Sequence, residues 1–406
     1  MNWKNQLEIL LSFSFIKVRM NQDKKNHISL AYIVTEKGCM SPNTGAFEHI
    51  KNGISELSKH FNLVSFLPEF PNQTKVSLKF DFTKNSAWYK QTGFWGMLRD
   101  IRDFINNWKQ AKIILNSLAG SNCKIAYIRV QGFHPLPLIL RNNGYMVFLE
   151  ANGLQFENRR HYFKSSWLSW LYRPFEKFIY KKADHVFFVG SYGQYWKLDT
   201  SNWSEVENGI KPEDFPSRNF PACSKRPIKL VFLGKLTNHH NIGVLVDAIK
   251  ITPLNYHKEF ELHFIGSGLQ NLMANIPLSI KTIDHGFLER SKLGKLLTKM
   301  DIGLIPGGPS YNSQMKFMDY AAAGCTVIAA NITHLKNFYD EHGVFFFQSN
   351  SPTSLSNILK LILNGNKDIN KNTNKLHNHI IKNYQWSKIF ERKAVCILSI
   401  IKLKNF

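Results

Sequence analysis

The stretch MDIGLIPGGPSYNSQMKFMDYAAAGCTVIA, residues Met300 to Ala329, reads as strand, polar loop, helix and strand in succession. Ile302 to Pro306 and Thr326 to Ala329 are short apolar runs, and Gln314 to Ala323 between them is a helical stretch closed by Gly324. Strand, crossover helix and strand is the unit of a parallel sheet, because parallel neighbours cannot be joined by a tight turn. Working backward, the same alternation gives strand Lys229 to Leu233, helix Ile242 to Ile251, strand Glu261 to Ile265 and helix Leu288 to Met300. One Rossmann-like domain is written there.

A second precedes it. Strand Ile28 to Thr35, loop Glu36 to Gly45, helix Phe47 to His60 and strand Asn62 to Phe66 form a Rossmann-like opening, followed by strands Ile125 to Val130, Met146 to Glu150 and His185 to Val189. Lys211 to Pro227 contains Pro212, Pro216, Pro221 and Pro227, and proline disfavours helix and sheet interior alike. The expected organisation is therefore an extension at 1–26, a first domain at 27–215, a linker at 216–227 and a second domain at 228–385. The segment 386–406 is expected to be a terminal helix, from amphipathic Trp386 to Ile401, packing back on the first domain. The fold class is α/β, two Rossmann-like domains facing each other across a cleft.

At 406 residues, 44% hydrophobic and 20% charged, the chain has globular composition and length for two cores. Its formal net charge of +23 calls for an anionic partner: nucleic acid, phosphorylated metabolites or an acidic membrane face. The basic residues are scattered rather than massed, which makes nucleic acid the weakest of the three. Cys39, Cys123, Cys223, Cys325 and Cys396 lie far apart with no CxxC pair, so neither a disulfide framework nor a zinc site is indicated and a reducing cytoplasm is the expected compartment. Leu7 to Val18 is apolar but short, is interrupted by Glu8 and lacks a small-residue cleavage site. It reads either as an interfacial helix or, the favoured reading, as an extension upstream of a start at Met20.

The loop before the 314–323 helix offers free backbone N–H groups, which together with the macrodipole suit a diphosphate. Lys316 stands one turn in and Asp319 three residues on, a spacing that fits either a phosphate cation with a ribose carboxylate or a surface ion pair. Gly266 and Gly268 follow a strand, where they serve either a plain turn or close backbone approach to a nucleotide. Trp88 to Trp108 and Arg159 to Lys182 combine aromatics with basic residues, a pattern that suits an anionic membrane surface and equally a helix with core-facing rings.

Ser310 to Gly324 resembles the "SPxKxxEYxAxG" form of the donor-site signature of retaining GT-B glycosyltransferases, glycosyltransferase family four. Four further segments resemble the same family in the same order: Glu207-Asn-Gly-Ile-Lys, Gly234-Lys-Leu, Phe264-Ile-Gly-Ser-Gly268 and Met300 to Pro306. The resemblance implies a transferase that moves a sugar from a UDP- or GDP-linked donor to a glycan or lipid-linked acceptor in cell-surface polysaccharide synthesis. It implies retention of configuration, no required metal or other cofactor, and a place on the inner face of the membrane. It puts Lys235 on donor phosphate with Gly234 beside it, and His240 where a second phosphate-binding lysine usually stands. Asp319 takes the place of the ribose-binding glutamate, and Ser313, Gln314 and Met315 line the entry of the donor helix. By the same resemblance Phe287, with His285 and Gly286, lies against the base, and Gly45 approaches the donor from the first domain. Phe148 to Glu157 resembles a subgroup pattern in which Asn152 stands where a histidine touches the donor sugar; Glu150 is then either catalytic or a local hydrogen-bond organiser. Two departures stand out. Tyr311 replaces an acid that usually faces the transferred sugar, and His240 is charged only as its surroundings allow. Both leave a non-catalytic sugar-nucleotide-binding or scaffold protein at the membrane as the alternative.

Overall fold

The computed structural model describes residues 28–40, 44–68, 76–78, 92–129, 132–162, 166–198, 202–216, 226–236, 240–365 and 369–405. The apolar stretch Leu7 to Val18, Trp88, Cys223 and most of the expected linker lie outside the described residues.

The first sheet is built from β1 (Ser29–Val34), β2 (Asn62–Pro68), β3 (Val76–Leu78), β4 (Ile125–Arg129), β5 (Met146–Ala151), β6 (His185–Val189) and β7 (Trp203–Val206). Its strands are parallel in the order β3-β2-β1-β4-β5-β6-β7. Helices α1 (Gly45–Leu57), α2 (Gly93–Ala119), α3 (Leu136–Asn142), α4 (Gln155–Tyr162), α5 (Tyr172–Lys182) and the single turn α6 (Gly193–Trp196) belong to this half. α1 starts where Thr44 Oγ1 accepts a hydrogen bond from Phe47 N at 3.2 Å, which satisfies a donor the first turn leaves open.

The second sheet has β8 (Ile228–Leu233), β9 (Phe260–Ile265), β10 (Thr282–Asp284), β11 (Ile302–Ile305), β12 (Thr326–Ala330) and β13 (Phe345–Phe347), again parallel, in the order β10-β9-β8-β11-β12-β13. Its helices are α7 (Gly243–Ile251), α8 (Gln270–Met273), α9 (Arg290–Leu297), α10 (Met315–Ala322), α11 (Thr333–Tyr339), α12 (Pro352–Leu363) and α13 (Ile369–Asn383). In both sheets the order reverses at the first strand. That switch point opens a crevice at the strands' carboxyl ends, where such sheets bind ligands.

Strands buried on both faces need apolar residues on both, and β1 shows it: Ala31 and Ile33 enter one core, Leu30, Tyr32 and Val34 another. The second core is closed by α14 (Trp386–Leu403). Its Trp386, Phe390, Ala394, Ile397 and Ile401, at helical spacing, pack under the first sheet beside α1. The chain therefore crosses between domains twice, and the crossings touch: Ile210 N donates to Tyr384 O at 2.8 Å and Trp386 N to Ile210 O at 3.1 Å. Elements expected from the sequence appear with ends shifted by a few residues, the largest shifts being at α1, which ends at Leu57 rather than His60, and α9, which ends at Leu297 rather than Met300. The short edge strands β3, β7, β10 and β13 carried too little periodic signal to be read. Among the described residues no helix is long and apolar enough to cross a membrane.

Candidate active site

The crevice of the second sheet begins where β8 ends. Gly234 takes φ +148° and Gly266, at the end of β9, φ +145°. A Cβ on Gly266 would lie 2.0 Å from Gly234 O, so these two strand ends meet backbone to backbone and only glycine fits. Lys235 follows, exposed, and its carbonyl oxygen lies 2.6 Å from His240 Nδ1. A Cβ on Gly234 would lie 3.0 Å from His240 Cε1 and 3.6 Å from Lys316 Nζ. The fold thus gathers Gly234, His240 and Lys316, which the chain separates by up to 82 positions (316 − 234).

Lys316 is the unusual member. Its Nζ is buried, lies 5.0 Å from the centre of the Phe232 ring and has no hydrogen-bond partner. Burial pushes its ammonium down to about 7. An unpaired buried cation at the first turn of α10 is costly unless an anion completes it. Gln314, at the cap of the same helix, is also buried, with neither side-chain polar atom partnered, and Gly308 supplies the room for it, since a Cβ there would fall 2.1 Å from Gln314 Nε2.

Asp319 sits on the buried side of α10 and meets Arg290 rather than Lys316. Arg290 Nη1 and Nη2 lie 2.8 and 2.7 Å from its two carboxylate oxygens, and Arg290 Nε lies 3.3 Å from Asp214 Oδ2. Each oxygen retains a second lone pair. Gly268 (φ +78°) and Gly286 (φ +61°) form turns beyond β9 and β10, and Phe287 is exposed. His285 Nε2 lies 2.8 Å from His263 Nδ1, whose other nitrogen lies 3.0 Å from Glu261 Oε1.

Across the cleft, a Cβ on Gly45 would lie 2.9 Å from Met315 Cγ, so the start of α1 touches the start of α10. Asn152 Nδ2 donates to Glu150 Oε1 at 2.9 Å. Glu150 is fully buried and also takes Arg129 Nη1 at 2.9 Å, Lys393 Nζ at 2.7 Å, Tyr127 Oη at 2.5 Å and His49 Nε2 at 2.9 Å. Burial alone would raise its pKa, but the charges of His49, Lys393 and Arg129 hold it well below the usual carboxylate range. The Glu150 carboxylate is thus saturated by protein groups, Asn152 among them.

From Glu150 a polar chain runs into the second domain. His49 Nδ1 lies 2.9 Å from Asn208 Oδ1, Asn208 Nδ2 donates to Ser313 O at 3.0 Å, and Ser313 Oγ donates to Glu207 Oε2 at 2.7 Å. Glu207 Oε1 lies 2.6 Å from His334 Nε2, and His334 Nδ1 lies 2.8 Å from Ser191 Oγ. Ser313 is therefore a strut between domains. Tyr311, in the position of the missing acid, turns its ring to Tyr195 at 5.6 Å, and its carbonyl oxygen accepts from Ser191 N at 2.7 Å. Arg290, His49 and His334 escaped the sequence reading because their partners lie 29, 101 and 127 positions away (334 − 207 for the last).

A ribose hydroxyl on Asp319 would use those second lone pairs, with Arg290 aiming them. Asp319→Asn is expected to abolish most of the preference for a ribonucleoside diphosphate over its 2′,3′-dideoxy analogue, and to lower the melting temperature by loosening Arg290. A mutant that keeps the full preference, measured by titration calorimetry, would place the ribose elsewhere.

The family described as Glycosyl transferases group 1 matches residues 227–364, the segment holding Gly234, His240, Lys316 and Asp319. No curated protein is similar enough in sequence to match. Among solved structures, sucrose-phosphate synthase from Thermosynechococcus elongatus superposes with a TM-score of 0.72 at 13% identity, covering 92% of this chain and 100% of that one. HepE of Anabaena, in complex with UDP and glucose, gives a TM-score of 0.63 at 12% identity over 92% of this chain and 100% of its own. WaaG, a glycosyltransferase involved in lipopolysaccharide biosynthesis, gives 0.62 at 10% identity over 91% and 99%. Two parallel sheets of seven and six strands in the Rossmann order, and coverage of nearly whole GT-B structures, give the chain the GT-B fold, and within it the segment 227–364, which holds the crevice of the second sheet, is similar to the family described as Glycosyl transferases group 1.

Proposed function

We propose that the protein transfers a sugar from a nucleotide diphosphate donor to a glycan or lipid-linked acceptor, with retention of configuration and without a metal. The observation that carries this reading is Lys316, a buried ammonium with no protein partner, set at the first turn of a helix beside Gly234, where a Cβ would come within 3.6 Å of it. A departing diphosphate is the anion that completes such a site, and fixed positive charge waiting for developing negative charge is the strongest general means of lowering a barrier. Lys235 and His240 stand beside it as further phosphate contacts. Asn152, aimed by Glu150, is assigned to the transferred sugar. Gly45, Gly266, Gly268, Ser313, Gln314, Met315 and Phe287 are assigned to the walls of the donor cleft, with Asp319 on the ribose and UDP or GDP as the nucleotide. WaaG, named for lipopolysaccharide biosynthesis, supports a role in assembling cell-surface polysaccharide.

A screen of nucleotide sugars by thermal shift should find one or more that raise the melting temperature, as a ligand specific for the native state must. The stabilising sugar nucleotide should release free nucleotide when a glycan acceptor is added. Stabilisation without any nucleotide release would favour the non-catalytic binding protein, to which Tyr311 points by leaving no acid against the sugar. No stabilisation by any of them would sink the donor site.

The reading includes a peripheral position on an anionic membrane face. Trp95, Trp108, Trp167 and Trp170 are exposed on the first domain, on the same two stretches as Arg102, Lys109, Arg173 and Lys177. Cosedimentation with vesicles containing anionic lipid should exceed that with neutral vesicles and weaken as salt rises. Equal binding to both would remove the electrostatic attraction.

A further inference from the structure

The first half of α2 buries a charge pair and leaves a row of apolar side chains exposed. Its buried face carries Arg99 and Asp100, both 0% exposed, with Arg99 Nη2 3.1 Å and Arg159 Nη2 2.7 Å from Asp100 Oδ1. Its outer face carries Ile101, Ile105 and Trp108, at helical spacing and each more than 40% exposed. The apolar stripe of a surface helix normally faces the core, so an exposed one marks an interaction surface.

Between that face and α5 lies a groove of about 420 Å³ whose lining is wholly apolar. Ile101, Phe104, Ile105, Phe133, Phe175 and Phe178 form most of it. The floor is an aromatic cluster: Phe104, Phe133 and Phe175 have ring centres 5.3 to 6.1 Å apart. Phe133 is held there at φ +63°, a left-handed conformation that is strained for a bulky side chain. It lies four positions beyond the carboxyl end of β4, so the groove reaches the cleft side of the first sheet.

The charge of the two helices that carry the groove selects its occupant. Lys182 Nζ sits 5.7 Å over the ring of Phe178, which lines the groove, and the same two helices also carry Arg102, Lys109, Arg173, Lys177 and Lys181. A second copy of this chain would bring the same cations against them and be repelled. A flat bilayer surface needs protruding side chains but no hollow, whereas a concave apolar pocket of this size takes one ligand. We infer that the groove seats the single hydrocarbon chain of a lipid-phosphate-linked acceptor, with the phosphate at Lys182 on its rim. The inference rests on the transferase reading and names the acceptor's class.

The probe is dodecyl phosphate, titrated below its micellar concentration into the full chain without vesicles, with inorganic phosphate as the control. One-to-one binding at least tenfold tighter than inorganic phosphate is expected, and Ile105→Gln/Phe178→Gln, both exposed positions, should weaken it about tenfold while leaving nucleotide-sugar binding unchanged. Binding only when vesicles are present would overturn the inference in favour of bilayer anchoring. A tenfold gain on deleting residues 1–27 would overturn it by showing that the chain's own terminus fills the groove. A dimer that the double variant dissociates would assign the face to a second copy and overturn it likewise. Nucleotide release from donor is followed separately. If dodecyl phosphate fails to bind while donor is still cleaved, the groove assignment alone falls; if no nucleotide sugar binds, the transferase reading falls and the lipid titration still stands as measured.

Discussion

Lys316→Met is expected to lower kcat about 10²- to 10³-fold with the best donor, the scale of losing one preorganised electrostatic contact in the transition state. The same substitution should raise the melting temperature of the ligand-free protein at pH 6, because it removes a buried ammonium that has no partner. Few substitutions in a folded interior stabilise and inactivate together, and that pairing is what distinguishes an anion site from ordinary packing. The pH dependence follows from the depressed pKa of about 7. In the unfolded chain lysine holds its proton to about 10.4. Between the two values the unfolded state binds more protons, so Lys316 contributes a gain in stability of the free protein as pH rises through this window. Donor affinity should move the other way, falling above pH 7 as the ammonium is lost, with a bound diphosphate pulling the pKa back up. A Lys316→Met protein with unaltered turnover, or with lowered stability, would remove the lysine from the diphosphate.

Glu150→Gln is expected to destabilise the protein by about 3 to 5 kcal/mol, read as a shift in the denaturant midpoint. It leaves the Lys393 ammonium and the Arg129 guanidinium in the interior without their anion. Lys393 belongs to α14, so the loss should loosen the terminal helix from the first sheet and raise amide exchange along it. Glu150→Gln/Lys393→Met should recover part of the loss, because the two changes remove partners of one another. The Glu150 pKa is depressed, so its contribution is fully present above the unfolded carboxylate value of about 4.3 and is lost as pH falls through the folded value. The Gln variant should lack that acid limb. A Glu150→Gln protein of native stability with abolished turnover would instead make the carboxylate a direct participant in chemistry.

Local pattern was enough for the skeleton. Runs such as Ile302 to Ile305 and Thr326 to Ala330 are apolar because both faces of a parallel strand are buried, and that requirement is written in adjacent residues. The stripe Trp386, Ile389, Phe390, Ala394 and Ile397 likewise announced a helix with a buried face. Lys393 lies within that stripe, a charge at a core position, and this was the one legible sign of its role; the sequence gives no hint that Glu150, 243 positions earlier, is its partner.

The crevice of the second sheet divides in the same way. Glycines at strand ends, a polar loop before a helix and a lysine in its first turn follow from the order of residues, since backbone approach and helix N–H groups are local properties. An i,i+3 spacing permits Lys316 to pair with Asp319 on its own helix but does not require it. The tertiary structure decided that Asp319 faces inward to Arg290 while Lys316 faces Phe232 and Gly234 unpaired. It likewise decided that the first half of α2 buries Arg99 and Asp100 and leaves Ile101 and Ile105 exposed. Periodicity states that a helix has two faces, but which of them meets the core depends on what other segments bring to it, here Arg159 and Tyr172 to Asp100, and that is fixed only when distant parts of the chain are packed together.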